Sequence, residues 1–170
     1  MIFPEKFEQK IEFDKIKTLI QAECLCEMGK EEIAALAFSS DPTIIKTSAG
    51  QIAEFMRLMN ETSNEFPLDG YYDIRSYIKR IQTEGAYITE AELFELYRSA
   101  LAVGALVRFF RMLEVKDFPL LISFGNRVEA FPEVTQYLSR ILDKYGNIKD
   151  SASSTLAQIR REKQMLNASI

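Results

Sequence analysis

Residues 89–113 read TEAELFELYRSALAVGALVRFFRML, and this stretch decides the fold class. Thr89 and Glu92 stand in a T-x-x-E capping box, whose side chains satisfy free backbone N–H groups at the start of a helix. Behind the box, Leu93, Leu96, Tyr97, Ala100, Val103, Leu106, Val107 and Phe110 recur every three or four residues. That spacing lays one apolar stripe along a helix; a strand would alternate every second residue. The pattern predicts a long helix from Thr89 to about Leu113.

The same period continues on both sides. Phe13, Ile16, Leu19 and Ile20 form a stripe in FDKIKTLIQAEC, and KEEIAALAF is predicted to continue as helix after Gly29. Asp41 as N-cap and Pro42 at the first helical position open a further helix, with Ile45, Ile52, Phe55, Met56 and Met59 as its stripe. NEFPLDGYY, residues 64–72, is a loop punctuated by Pro, Gly, Asn and Asp. Asp73 is placed to cap the next helix, IRSYIKRIQ, and Gly85 ends that region. Pro119 and Pro132 bracket a shorter helical piece, and EVTQYLSRILDKY follows. YGNIKD holds a Gly-Asn turn and one β-prone residue, Ile148, so at most a short β-ribbon fits near 145–150. The chain reads as all-α.

With 170 residues, 47% of them hydrophobic and 27% charged, the chain suits one domain or two small lobes. No apolar run reaches the roughly 18 residues that span a bilayer, so no membrane is expected. The opening, MIFPEKFEQK, lacks the apolar region of a signal peptide, and the expected location is cytoplasmic. There is no histidine, which removes Ser-His-Asp and Cys-His catalysis and imidazole metal sites. On a helix Cys24 and Cys26 would point about 200° apart, and they lack zinc-site spacing; they read as small apolar residues in a reduced compartment. No two glycines lie within five residues of each other, which excludes the G-x-G-x-x-G and G-x4-G-K-[ST] phosphate loops. Glu5, Glu8 and Glu12, and likewise Glu92 and Glu95, could pair for acid–base work or a metal. Lys and Arg lie close to each, and they read as solvated surface charge.

The net charge of −4 is uneven: residues 144–170 carry +3 and the preceding 143 carry −7. Arg75, Lys79 and Arg80 form one basic face, and Arg108 with Arg111 another. Tyr71, Tyr72, Tyr77, Phe109 and Phe110 lie near them. Basic residues interleaved with aromatics can bind single strands, but these aromatics fit the core stripe as well. The candidate nucleic-acid contacts are Arg75, Lys79, Arg80, Arg160, Arg161 and Lys163. In DSASSTLAQIRREKQ, residues 150–164, Asp150, Ser151 and Ser153 are all N-cap types. Ser153 is the expected cap, because Leu156 and Ile159 then begin a stripe that weakly continues to Leu166 and Ile170. That helix carries no Gly or Pro stop, so the chain is expected to be cut inside a longer helix.

YGNIKDSASSTLAQIRREKQML resembles the core-domain segment of bacterial MutS-like proteins, specifically the Smr-tailed paralogue. That branch is linked to recombination suppression and to rescue of collided ribosomes, and typically reads D-G-x-[IV]-x-D-S-A-S-P-x-L-x-x-I-R. Gly146, Ile148, Asp150, Ser151, Ala152, Ser153, Leu156, Ile159 and Arg160 match it. Tyr145 replaces the acidic residue and Ser154 the proline. Upstream, Pro67, Gly70, Asp73, Ile74 and Leu93 match the family's P-L-x-G-x-x-D-[IV] segment and the helix after it. Gly29 matches a glycine of the opening segment, though Cys26 stands where serine is usual.

The resemblance implies that residues 1–150 are a helical core or lever domain and 151–170 the start of the helix leading to a clamp. The parent would be a homodimeric ATPase using ATP and Mg2+, with a possible C-terminal nuclease domain. It would act in DNA mismatch repair and recombination control on branched or duplex DNA, or on the ribosome. This part would be non-catalytic, hold no cofactor, and couple the ATPase to the clamp. The alternative is a stand-alone helical adaptor whose last helix pairs with another chain through Leu156, Ile159, Leu166 and Ile170, with Met165 on the edge.

Overall fold

Side chains of Asp41, Thr89 and Ser153 cap three of the helix starts. The computed structural model describes residues 6–61 and 66–168, so Glu5, Ile170 and the first part of the 64–72 loop, for which the sequence raises expectations, lie outside the described residues. The elements are α1 Phe7–Lys10, α2 Phe13–Ala22, α3 Glu27–Ala35, α4 Pro42–Glu61, α5 Arg75–Ile81, α6 Glu90–Met112, α7 Pro119–Gly125, α8 Pro132–Ile141 and α9 Ser154–Ala168. A single 3-10 turn, Asp150–Ala152, leads into α9. The fold is all-α. Among the described residues β-pairing is limited to one antiparallel bridge, Leu142 with Ile148.

Thr89 closes both halves of its capping box on α6. Asp41 Oδ1 accepts from the Thr43 N–H at 2.8 Å, and Ser153 Oγ from the Leu156 N–H at 3.1 Å. Asp73 departs from the expected cap by one residue. Ile74 takes the N-cap position, and Asp73 Oδ1 accepts from the Arg75 N–H at 3.1 Å in an Asx turn. Gly29 also departs: α3 begins at Glu27 and runs through it. A Cβ there would sit 3.5 Å from Cys24 Cβ and 3.8 Å from Cys26 Sγ, ordinary contact distances, so the α2–α3 turn packs against this side of the helix without requiring a glycine. The two thiols therefore belong to that turn, not to a helix with diverging side chains.

The core joins α4, α6 and α7. Leu58 is fully buried among Phe109, Phe110, Phe118 and Leu121. Phe55, Phe66, Phe109 and Phe110 form a relay of edge-to-face rings with centroids 5.1, 5.2 and 6.1 Å apart, the favoured aromatic geometry. Pro119 starts α7, whose N-cap position is Phe118 and gives no side-chain cap. Glu54 of α4 supplies one from a distance, accepting from the N–H groups of Leu120 at 3.0 Å and Leu121 at 2.9 Å. This ties α4 to α7 and satisfies free donors of a helix start.

Two stripes need correction. On α6, Val107 and Phe110 are buried as expected, but so are Ser99, Ala102 and Phe109 off the stripe. Neighbours cover α6 on several sides: α7, α8 and the 66–74 loop, where Ser99 Oγ accepts from the Tyr72 N–H at 3.1 Å. On α4, Ile45, Ile52 and Met56 are exposed, and Leu58 is the buried residue. Among the described residues α4 is covered by α7 and by the Phe109 and Phe110 rings of α6, both on the Glu54–Leu58 side. The surface totals 13124 Å² for 19.5 kDa. A compact monomer of that mass exposes about 8,500 Å². Apolar faces of α2, α4 and α9 are accordingly open.

Candidate functional site

The tail motif builds a joint between α6, α8 and α9. After α8 the chain turns at Asp143–Asn147. The Asp143 N–H donates to the Asn147 carbonyl at 2.9 Å, and Asp143 Oδ1 accepts from the N–H groups of Tyr145 at 2.8 Å and Asn147 at 2.9 Å. The Asn147 side chain and backbone bonds hold the Asp143 carboxyl below its ordinary range. Gly146 takes φ +89°, and a Cβ there would lie 2.7 Å from Phe94 of α6. Glycine is thus required twice at this position, for the left-handed backbone and for the approach to α6.

From the turn the chain is fastened at every step. The Ile148 N–H donates to Glu90 Oε1 of α6. The Lys149 N–H donates to the Ile141 carbonyl at 2.8 Å, and Lys149 Nζ to the Ser139 carbonyl at 2.7 Å. Arg160 reaches back from α9 to the Ile148 carbonyl at 3.1 Å and to the Asp150 carboxylate. Of the motif residues, Gly146, Asp150 and Ser153 therefore have direct structural work, as does Arg160. Ser151 forms part of the 3-10 turn. Ile159 is exposed, so the buried stripe expected to begin at Leu156 and Ile159 holds only for Leu156, which is half-buried. Sequence reasoning missed Glu90, Phe94 and Asp143. The D-x-x-G-N spacing was the signal for Asp143; Glu90 and Phe94 act across more than fifty residues and left none.

The six basic candidates are not brought to one place. Arg75 is held by Asp73 and by Glu31 of α3, at 2.8 Å for the latter. Arg80 pairs with Glu92, whose pKa the Arg80 hydrogen bond and the Thr89 N–H pull down to about 2. Arg160 pairs with Asp150. Among the described residues, Lys79, Arg161 and Lys163 have no carboxylate partner. Phe109 and Phe110, near the second basic face, are core residues and offer no stacking surface.

The carboxylate pairs are structural. Glu8 binds the Phe38 N–H at 3.0 Å and Lys17 at 3.5 Å, and Glu12 pairs with Lys15 at 2.7 Å. Glu12 lies at φ 59° between α1 and α2, which breaks the helix face it was expected to share with Glu8. Glu95 accepts from the Tyr77 hydroxyl at 2.6 Å, which together with burial raises the Tyr77 pKa. No group of three or more His, Cys, Asp or Glu that could hold a metal occurs among the described residues. No helix of the described residues is long and apolar enough to cross a membrane.

The all-α fold is the one the MutS-like resemblance implies. Comparison with known proteins agrees: homologues named Endonuclease MutS2 cover 94–98% of the chain, consistent with an N-terminal region of a MutS-like protein. Endonuclease MutS2 of Geobacillus sp. (strain WCH70) is 29% identical over 165 residues, 94% of this chain and 20% of that protein. Endonuclease MutS2 of Brevibacillus brevis is 31% identical over 164 residues, again 94% of this chain and 20% of the relative. That of Symbiobacterium thermophilum is 26% identical over 162 residues, 95% of this chain and 20% of the relative. The chain spans about one-fifth of the length of these relatives. No family model matches it.

Proposed function

We propose that this chain is a non-catalytic helical lever of a MutS-like ATPase, passing movement from the ATPase to a clamp that grips DNA or the ribosome. Residues 1–150 are the lever and 151–170 the start of the clamp helix. The observation that carries the reading is the joint. α9 is fastened through Gly146, Glu90 and Arg160 to α6, so a tilt of α6 moves the base of α9 with it. ATP, Mg2+ and the homodimer contact belong to the rest of the parent in this reading, as does any nuclease activity. Lys79, Arg161 and Lys163 are the remaining proposed nucleic-acid contacts, in a cytoplasmic protein. The isolated chain is expected to hydrolyse no ATP; turnover that copurifies with it through successive columns removes the reading. In the full-length parent, Gly146→Val should keep basal ATP turnover but blunt its response to DNA or ribosomes. An unchanged response in the folded variant removes it equally.

The adaptor reading draws on α9 alone, where Ile159, Met165 and Leu166 are exposed. A seam through them makes self-association depend on residues after Ser153. Sedimentation of the chain shortened at that point decides: an oligomeric state unchanged by the shortening excludes a tail seam.

A further inference from the structure

Arg108 and Arg111 face away from the core. They share one face of α6 with Leu101 and Gly104, at helical spacings of three and four residues. Two adjoining cavities, of about 510 and 200 Å³, run along this face beneath the α7–α8 connection and meet at Val107, Arg111 and Pro132. Together they form one groove. Its floor is apolar in the smaller cavity, where Leu101 and Phe131 are 43% and 57% exposed, and mixed in the larger, where Asn126 and Glu129 join Val107 and Phe110. Its rim carries the two guanidinium groups. Among the described residues neither has a carboxylate within ion-pair distance, whereas Arg98, one turn before Leu101, is held by Asp69 at 3.1 Å.

Gly104 is the decisive residue. Glycine inside a helix costs stability relative to alanine, so it needs a reason. Gly50 has one, since a Cβ there would lie 2.5 Å from Leu120, and Gly125 has one against Phe110. A Cβ on Gly104 would meet only Arg108 Nη1, at 3.6 Å. Among the described residues only the end of the Arg108 side chain borders the space over Gly104.

We infer that this groove seats an acidic amphipathic helix of a partner protein. The missing side chain at Gly104 lets a second helix approach closely, with apolar residues set on Leu101 and Phe131. Its carboxylates meet Arg108 and Arg111, whose planar forks suit bidentate pairing. A nucleic acid fits less well. Leu101 and Phe131 offer apolar surface, Glu129 stands on the wall of the larger cavity, and the chain is net negative.

The test uses the whole chain and a fluorescent synthetic helical peptide of about four turns, with Leu at i, i+4, i+7 and i+11 and Glu beside them. Controls are the same peptide with Lys for Glu, and single- and double-stranded oligonucleotides. The acidic peptide should bind saturably and more weakly as salt rises, and R108E/R111E should lower its affinity roughly tenfold or more. Gly104→Leu should abolish binding while the thermal midpoint holds or rises, because a Cβ there meets only the end of a flexible arginine and the helix loses a glycine. Equal affinity of Gly104→Leu and the native chain overturns the inference. So do equal binding of the Lys peptide, oligonucleotide binding in place of peptide binding, and no saturation up to millimolar peptide.

Discussion

Helix α6 and the α1–α3 arm use hydrophobic residues in opposite ways. The arm holds the cleaner one-sided pattern, in α2, yet α1, α2 and α3 contain no buried residue. The apolar residues of α6 spread over more than one side of the helix, and it buries five residues while leaving the Arg108–Arg111 face open. One-sided amphipathy shows that a face needs a cover; apolar residues on several sides show that a helix has several neighbours. The arm is held by polar bonds. Gln21 Nε2 donates to the Lys30 carbonyl at 2.9 Å, and the Glu31–Arg75 pair at 2.8 Å ties α3 to α5. Exposed pairs of this kind contribute about 0–1 kcal/mol. The molecule thus joins a packed centre to an arm held by weaker polar contacts.

The widest break in that comparison is a pair of truncations. Phe109 is 4% exposed in the ring relay, so Phe109→Ala should cost about 3–5 kcal/mol in urea unfolding. Leu19 is 65% exposed on α2, and Leu19→Ala should stay within about 0.5 kcal/mol. Similar losses for both would show that the arm is as tightly packed as the centre.

A second pair asks whether the α9 joint belongs energetically to the centre. Gly85 and Gly146 both lie in the left-handed region, at φ +79° and +89°. A Cβ on Gly85 meets nothing within 4 Å, so Gly85→Ala carries only backbone strain of about 1–2 kcal/mol. Gly146→Ala adds the clash with Phe94, about 1–3 kcal/mol more. Phe94→Leu introduced with it should recover part of that excess. Equal losses at the two glycines would leave the joint no tighter than an exposed turn.

The sequence made legible what is local. The capping box at Thr89, the caps at Asp41 and Ser153, and the lengths of α4 and α6 follow from neighbouring residues. Which face of α4 is covered depends on α7, more than sixty residues away in sequence, and Ile45, Ile52 and Met56 lie exposed, away from the buried Leu58 side. Glu54 capping α7 and Glu90 holding Ile148 are long-range bonds made by ordinary surface-looking glutamates, so no local pattern marked them. The motif at 146–160 was legible as a cap and turn; its anchoring on Phe94 was not. The basic candidates were legible as charges, but their pairing with Glu31, Glu92 and Asp150 depends on the tertiary structure.

The smallest effect separates the two regions by pH. Glu92 on α6 and Asp73 beside α5 both have pKa values lowered to about 2, chiefly by hydrogen bonds from Arg80 and Arg75 respectively. Unfolded carboxyls titrate near about 4. The ionised form therefore favours the fold, with the contribution complete above the unfolded value and fading as pH falls toward about 2. Glu92→Gln should lower stability at neutral pH, with the gap to the native chain closing in acid. Asp73→Asn should show the same convergence, but its structural consequence falls on the arm, because Arg75 also holds Glu31. Loss of Asp73 leaves that guanidinium less firmly placed. Hydrogen exchange across the acid range reads the difference. In the native chain the amides of α2 and α3 should lose protection before those of α6, and Asp73→Asn should show that early loss already at neutral pH. If α6 opens first, or all helices open together, the centre and the arm form one cooperative unit and the division between them fails.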